Sequence, residues 1–255
     1  MPSASQSRPA NVNAQYNLSA PGSVADKITI RQRRKMFSDF VGRMNISAGD
    51  TILDVGATTD RLCEHSNYLE AWWPHKDRIT AIGIDDCGFL ETLYPGLRFV
   101  RADGCDLPFA DNAFDFVHSS AVIEHVGERR RQARLLSELW RVARRGVFVT
   151  TPNRWFPVEV HTMLPLLHWL PSRWYRATLR RIGLPFFATE ANLNLLSRRD
   201  LGHLARAVGI SDFDIFAVKL WGVTSNLIVL AQKNMPVIQA RECVKQSAEE
   251  TPAVA

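Results

Sequence analysis

The 255-residue chain has only four cysteines, Cys63, Cys87, Cys105 and Cys243. None forms a C-x-x-C pair, so neither a disulfide framework nor a zinc site is expected. A reducing cytoplasm is the natural compartment for such usage. No apolar run approaches the roughly 20 residues a membrane helix needs. Residues 1–6 lack the apolar core of a signal peptide. The net charge is only +5, with 46% hydrophobic and 22% charged residues, which is a globular composition. No internal repeat is visible. The length suits one well-cored domain with decorations.

Glycine is scarce where a dinucleotide-binding fold needs it most. Thr51-Ile52-Leu53-Asp54-Val55-Gly56-Ala57 is an apolar run that ends in an acid and turns through glycine. Thr58-Thr59-Asp60 follow, with no further glycine. A pyrophosphate binder needs those later glycines to bring a helix amino end onto the ligand, which disfavours a nicotinamide oxidoreductase. About thirty residues on, Ala81-Ile82-Gly83-Ile84-Asp85-Asp86 is a second apolar run with an acidic end. An acid there is placed to accept hydrogen bonds from a ribose.

Strands are expected at about residues 51–55, 79–84, 97–101, 114–119 and 146–151. Helices are expected at 28–44, 61–72 and 128–144, with another starting near Ser197. This alternation predicts an α/β fold with a parallel sheet and helices on both faces. Residues 213–220 and 226–232 read as two strands joined by Trp221-Gly222-Val223-Thr224-Ser225, a connection so short that they must be antiparallel. Residues 1–25 and 235–255 read as tails around a domain over 26–234. An insertion over about 152–194 carries Trp155, Trp169 and Trp174 with Phe156, Tyr175, Phe186 and Phe187. Its prolines 152, 157, 165, 171 and 185 prevent one long helix.

Two further blocks follow in order. Arg101-Ala102-Asp103-Gly104-Cys105-Asp106-Leu107-Pro108-Phe109 precedes Phe114-Asp115-Phe116-Val117-His118-Ser119-Ser120, and Ala121-Val122-Ile123-Glu124-His125-Val126 comes next. With the two acidic strand ends, these blocks resemble class I S-adenosylmethionine-dependent methyltransferases over roughly residues 30–235. The resemblance implies a Rossmann-like seven-stranded sheet with an antiparallel last strand, and S-adenosyl-L-methionine as cofactor. It places Asp54 and Gly56 beside the methionine moiety, Asp85 at the ribose, Asp103 and Gly104 near adenine, and Ser119 at the mouth of strand four. Asp54 and Asp85 also fit as helix caps. Asp86 competes for the ribose and Asp106 for the adenine. The family's first loop has later glycines that this chain lacks, and Thr58 and Thr59 fit either ligand contact or a helix cap.

Methyl transfer needs donor and acceptor held in line, sometimes with a base to unmask the nucleophile. His125, beside Glu124, and His161, after Glu159, are the two candidate catalytic bases. Each is equally open to a structural role. His118, His168 and His203 read as structural. The expected acceptor is a small molecule, lipid or sugar. A catalytically silent binding protein working through the Trp-rich insertion is the alternative. Arg129, Arg130, Arg131 and Arg134, then Arg141, Arg144 and Arg145, read as the solvated face of a helix. Basic and aromatic residues are not interleaved on a recognisable module, so no nucleic-acid partner is expected. Leu164, Leu166, Leu167, Trp169 and Leu170, followed by Arg173, Trp174, Arg176, Arg180 and Arg181, either roof the acceptor pocket or touch a membrane surface.

Overall fold

The computed structural model describes residues 22–61 and 63–233. The C-terminal tail and most of the N-terminal one lie outside the described residues. The expected boundary at 25 is corrected, because helix α1 (Val24–Met44) already begins there. Ser23 caps it by accepting from the Asp26 amide at 3.1 Å.

The sheet has the order β3-β2-β1-β4-β5-β7-β6. Strands β1 (Ile52–Val55), β2 (Ile79–Gly83), β3 (Arg98–Arg101), β4 (Phe114–Ser120) and β5 (Ala143–Pro152) run parallel. Strand β7 (Val223–Gln232) is antiparallel to both β5 and β6 (Asp214–Leu220). The tight Trp221-Gly222 turn forces that reversal.

Side-chain alternation fills two core layers. Leu53, Val55, Val117 and Val147 pack against α4 (Arg129–Val142) and α6 (Arg198–Ala207). Ile52, Phe116 and Phe148 pack against α1, α2 (Tyr68–Trp72) and α3 (Phe89–Leu93). Both faces are covered, so β1 is buried throughout.

The expected helix over 61–72 is shorter. A 3-10 turn covers Glu64–Asn67, and only Tyr68–Trp72 is α-helical. Side-chain bonds hold the preceding segment open. The Asn67 amide accepts from the Thr58 N–H at 2.8 Å and donates to the Thr58 carbonyl at 3.0 Å. Ser66 donates to Asp60 at 2.5 Å. Thr58 therefore belongs to a side-chain-tied loop and caps no helix.

Alternation also decides Asp54 and Ser119. Asp54 shares a face with Ile52 and is buried beneath α1 and α2, where its carboxylate meets His118 Nδ1 at 2.5 Å. The Tyr68 hydroxyl meets His118 Nε2 at 2.8 Å. Burial raises the Asp54 pKa to about 6, with Glu70 acting in the opposite sense. Burial likewise lowers His118 to about 4. At neutral pH the uncharged imidazole thus donates to the carboxylate and accepts from the phenol. Glu70, fully buried on α2, is raised well above the usual carboxyl range by burial and by the charge of Asp54.

This pair makes a testable statement about acid stability. His118 has a folded value near 4, below the ordinary 6.5, so its contribution is present above 6.5 and lost as pH falls toward 4. Asp54 has a folded value near 6, above the ordinary 3.8, so its contribution is present below 3.8 and lost as pH rises through 6. Between those limits the two offset one another. Asp54→Asn removes the second and also the charge that helps raise Glu70, and both changes make the variant's stability fall more steeply on acidification. The added slope should reach about 1.4 kcal/mol per pH unit. Urea unfolding of both proteins across pH 6.5 to 4 checks this, and equal slopes would refute it.

Candidate active site

A cavity of about 860 Å³ opens at the carboxyl ends of β1, β2 and β4. That is within the ~300–1,000 Å³ usual for small-molecule sites. Strand ends supply one wall through Val55-Gly56-Ala57-Thr58, Ile82-Gly83-Ile84 and Ser120-Ala121-Val122. Ala102, Asp103 and Gly104 supply another, α1 contributes Ile28 to Met36, and the insertion adds Phe156, Val160 and His161.

Of the expected donor-side residues, Gly56, Asp103 and Gly104 line this cavity. Asp54 and Ser119 do not, and their expected contact with the donor is corrected. Asp54 is committed to His118, and the buried Ser119 hydroxyl donates to the Val55 carbonyl at 2.9 Å. Their neighbours Val55 and Ser120 form the wall instead, one residue out of phase. Asp85 stands half-buried just past β2, beside the wall residue Ile84. Asp86 is occupied in the turn, where its Oδ1 accepts from the Gly88 amide at 2.9 Å.

Asp103 has partners of its own. Its Oδ1 accepts from the Cys105 amide and its Oδ2 from Arg131, both at 2.9 Å. Burial opposes ionisation, but these donors outweigh it and keep the carboxyl below its usual range. Nothing in the sequence pointed to Arg131 as that partner.

At the other end of the cavity the structure brings His125 and His161 together, 36 residues apart in sequence, with Nε2 atoms 3.0 Å apart. The rings stand nearly perpendicular, at 87°. His125 Nδ1 meets the Asn192 carbonyl at 2.8 Å, and His161 Nδ1 meets Glu159 Oε1 at 2.6 Å. Glu159 also accepts from the His161 and Thr162 amides at 3.0 and 2.7 Å. Burial alone would raise Glu159, but the hydrogen bond and charge of His161 hold it at about 2. Burial alone would lower His161, but Glu159, with Glu124, raises it. Burial and the His161 charge together lower His125 to about 4. Glu124 is fully buried, and that burial raises its carboxyl to about 7. Only the short Glu159–His161 spacing hinted at this cluster in the sequence.

Residues 53–150 match the family model described as a methyltransferase domain. The chain is 28% identical over 199 residues to the demethylmenaquinone methyltransferase of Paenarthrobacter aurescens, covering 74% of this chain and 69% of that one. It is 30% identical over 96 residues to a human protein named as tRNA methyltransferase 9B, covering 37% of this chain and 19% of that one. Apart from the quinone relative, it spans a third or less of the curated relatives it matches. The crystal structure of magnesium protoporphyrin IX methyltransferase from Synechocystis PCC 6803, with bound S-adenosylhomocysteine, superposes with a TM-score of 0.51 at 14% identity, covering 87% of this chain and 92% of that one. Residues 53–150 are thus similar to a methyltransferase domain, set in a sheet of the same fold.

The donor wall depends on one glycine. Gly56 has φ of +120°, and a Cβ built there would lie 2.1 Å from Val122 Cγ2. Gly56→Ala should therefore lower both melting temperature and donor affinity. Adding Val122→Ala should restore part of the loss by removing the clash, leaving the backbone strain. Calorimetry and donor titration of the single and double variants test this. No recovery in the double variant would show that the conformation alone requires glycine.

Proposed function

We propose that the protein transfers the methyl group of S-adenosylmethionine to a small-molecule or lipid-linked acceptor bound beneath the 152–194 insertion. The observation that carries this is the continuity of one cavity. It runs from the strand ends that suit the donor to the His125–His161 pair under the insertion. An acceptor there shares one enclosed space with the donor, and positioning of that kind can supply several kcal/mol of the barrier.

Within this reading Asp85 takes the ribose, since its carboxylate makes no hydrogen bond among the described residues while Asp86 holds a turn. Gly56 lies along the methionine moiety, Asp103 and Gly104 lie toward adenine, and His125 and His161 mark the acceptor end. Asp85→Ala removes a charge-assisted pair worth about 1.5–3 kcal/mol, so donor affinity should fall by roughly one to two decades. Calorimetric titration with S-adenosylmethionine checks this, and unchanged affinity would remove Asp85 from the site. A labelled methyl donor incubated with lipid, quinone and soluble metabolite fractions tests the reaction. Donor binding without transfer to any fraction would favour the silent binding protein.

An apolar acceptor is supported by the insertion's outer surface. Leu164 and Leu167 pack on a small core around Tyr175, Leu179 and Phe187, which the insertion builds for itself. Leu166, Trp169, Leu170 and Trp174 remain exposed, with Arg173, Arg180 and Arg181 beside them. Arg176 is paired with Glu190 at 2.9 Å and is not available. No helix among the described residues is long and apolar enough to cross a membrane. Such a mixture of aromatic and cationic side chains suits contact with an anionic lipid surface. The protein should sediment with anionic vesicles at low salt and be released as salt rises, and Arg173/Arg180/Arg181→Ala should weaken it. Absence of wild-type sedimentation at low salt would leave the insertion as a roof alone.

A further inference from the structure

We propose that Glu124, His125 and His161 form a divalent transition-metal site at the acceptor end of the cavity. Their nearest ligand atoms, Glu124 Oε1, His125 Nε2 and His161 Nε2, all lie within 4.8 Å of one another. A tetrahedral zinc with bonds of about 2.0–2.1 Å places its ligand atoms roughly 3.3 Å apart. The two Nε2 atoms are 3.0 Å apart, and Glu124 Oε1 is 4.0 Å from His125 Nε2. The histidine pair is within a few tenths of an ångström of that spacing, and the Glu124 carboxylate must close on His125 by about 0.7 Å to complete the site.

Hydrogen-bond accounting makes the case. A carbonyl oxygen only accepts, so His125 Nδ1 carries a proton and donates to Asn192. His161 Nδ1 likewise donates to the Glu159 carboxylate. With both Nδ1 atoms donating, the two Nε2 atoms face each other at 3.0 Å, and either a proton or a metal cation lies between them. A shared proton would satisfy the two nitrogens. It would leave Glu124 Oε1, which is buried and has no hydrogen-bond partner, unsatisfied. A metal satisfies all three atoms at once. The surroundings also match those of metal ligands, in which the second atom of each group is fixed by an outer partner. Asn192 fixes His125, Glu159 fixes His161, and the Thr151 hydroxyl donates to Glu124 Oε2 at 2.9 Å.

Two imidazoles and a carboxylate suit zinc, and also iron or cobalt. Three protein ligands leave a position open, and both histidines line the cavity, so that position faces the acceptor space. An acceptor with a hydroxyl, phenol or enol oxygen would fill it. That last step rests on the proposed function; the metal site itself does not.

The test uses the full chain and cobalt(II), whose visible absorption reports tetrahedral binding, with zinc as competitor. One equivalent per chain is expected. Glu124→Gln should lower the affinity, and Glu159→Gln, which alters only an outer partner, should lower it by about 10–100-fold. S-adenosylmethionine titration of the same samples is read separately, so loss of donor binding is not mistaken for loss of metal. Wild type that binds the donor but binds cobalt no more tightly than His125→Asn/His161→Asn would overturn the proposal. Should that double variant misfold, imidazole nitrogen NMR of wild type decides. Zinc must shift both Nε2 resonances, and a pair that ignores zinc while sharing a proton overturns the site.

Discussion

The hydrogen bond between Asp54 and His118 fixes the register on which the cavity depends. It joins β1 to β4 at facing positions in the middle of the sheet. A slip of one residue would set Val117 or Ser119 opposite Asp54 and leave a buried carboxylate without its donor. The next residues along each strand form the cavity wall, Val55 to Thr58 on one side and Ser120 to Val122 on the other. The close packing of Gly56 on Val122 exists only in that register. Tyr68 extends the chain of bonds to α2, so the helix that follows the ligand loop is tied to the same point. A polar group at the centre of an apolar layer costs stability, but here it specifies one pairing of two strands whose central residues, Ile52, Leu53, Phe116 and Val117, are otherwise apolar.

That apolar character explains what the sequence could and could not reveal. Strands buried on both faces read as apolar runs, so their succession along the chain and the final antiparallel hairpin were legible, although β5 and β7 begin earlier than expected, at Ala143 and Val223. The faces were not. In a strand covered on both sides, hydrophobicity does not mark which way Asp54 or Ser119 turns. An acid at a strand end looks like a ligand contact whether it faces the cavity or the opposite layer. The segment after β1 failed for another reason. Its apolar spacing suited a helix, but Asn67, Ser66 and Asp60 bond to the loop and override the spacing. The pairing of His125 with His161 is tertiary, made by an insertion with no periodicity to read.

The two ends of the cavity are built by different means. Residues 102–111 have no regular structure, yet they carry Asp103 and Gly104 into the wall. Their carbonyls need donors, and arginines of α4 provide them. Arg134 donates to the Cys105 carbonyl at 3.0 Å, and Arg141 donates to Leu107 and Phe109 at 3.0 and 2.7 Å. The basic face of α4 is therefore less a solvated surface than a clamp on the loop that carries Asp103 and Gly104. Exposed ion pairs such as Arg131–Asp103 contribute little singly, about 0–1 kcal/mol. What fixes the loop is the number of backbone bonds that the same helix makes.

The acceptor end relies instead on buried charge. Glu159, Glu124 and the two histidines are all largely withdrawn from solvent, and two chain segments supply them. Glu124 and His125 follow β4, Thr151 belongs to β5, and Glu159 with His161 comes from the insertion. Asn192 closes the ring from the segment returning to α6. His125 finds its partners Asn192 and His161 only when the insertion sits on the sheet, because without it both ring nitrogens would be stranded. The cluster thus couples placement of the insertion to completion of the site. The insertion's inner face is fixed by polar bonds of high directionality, and its outer leucines and tryptophans take no part in holding it. On the proposed reading these exposed side chains are the ones available to an apolar acceptor or to the surface it comes from.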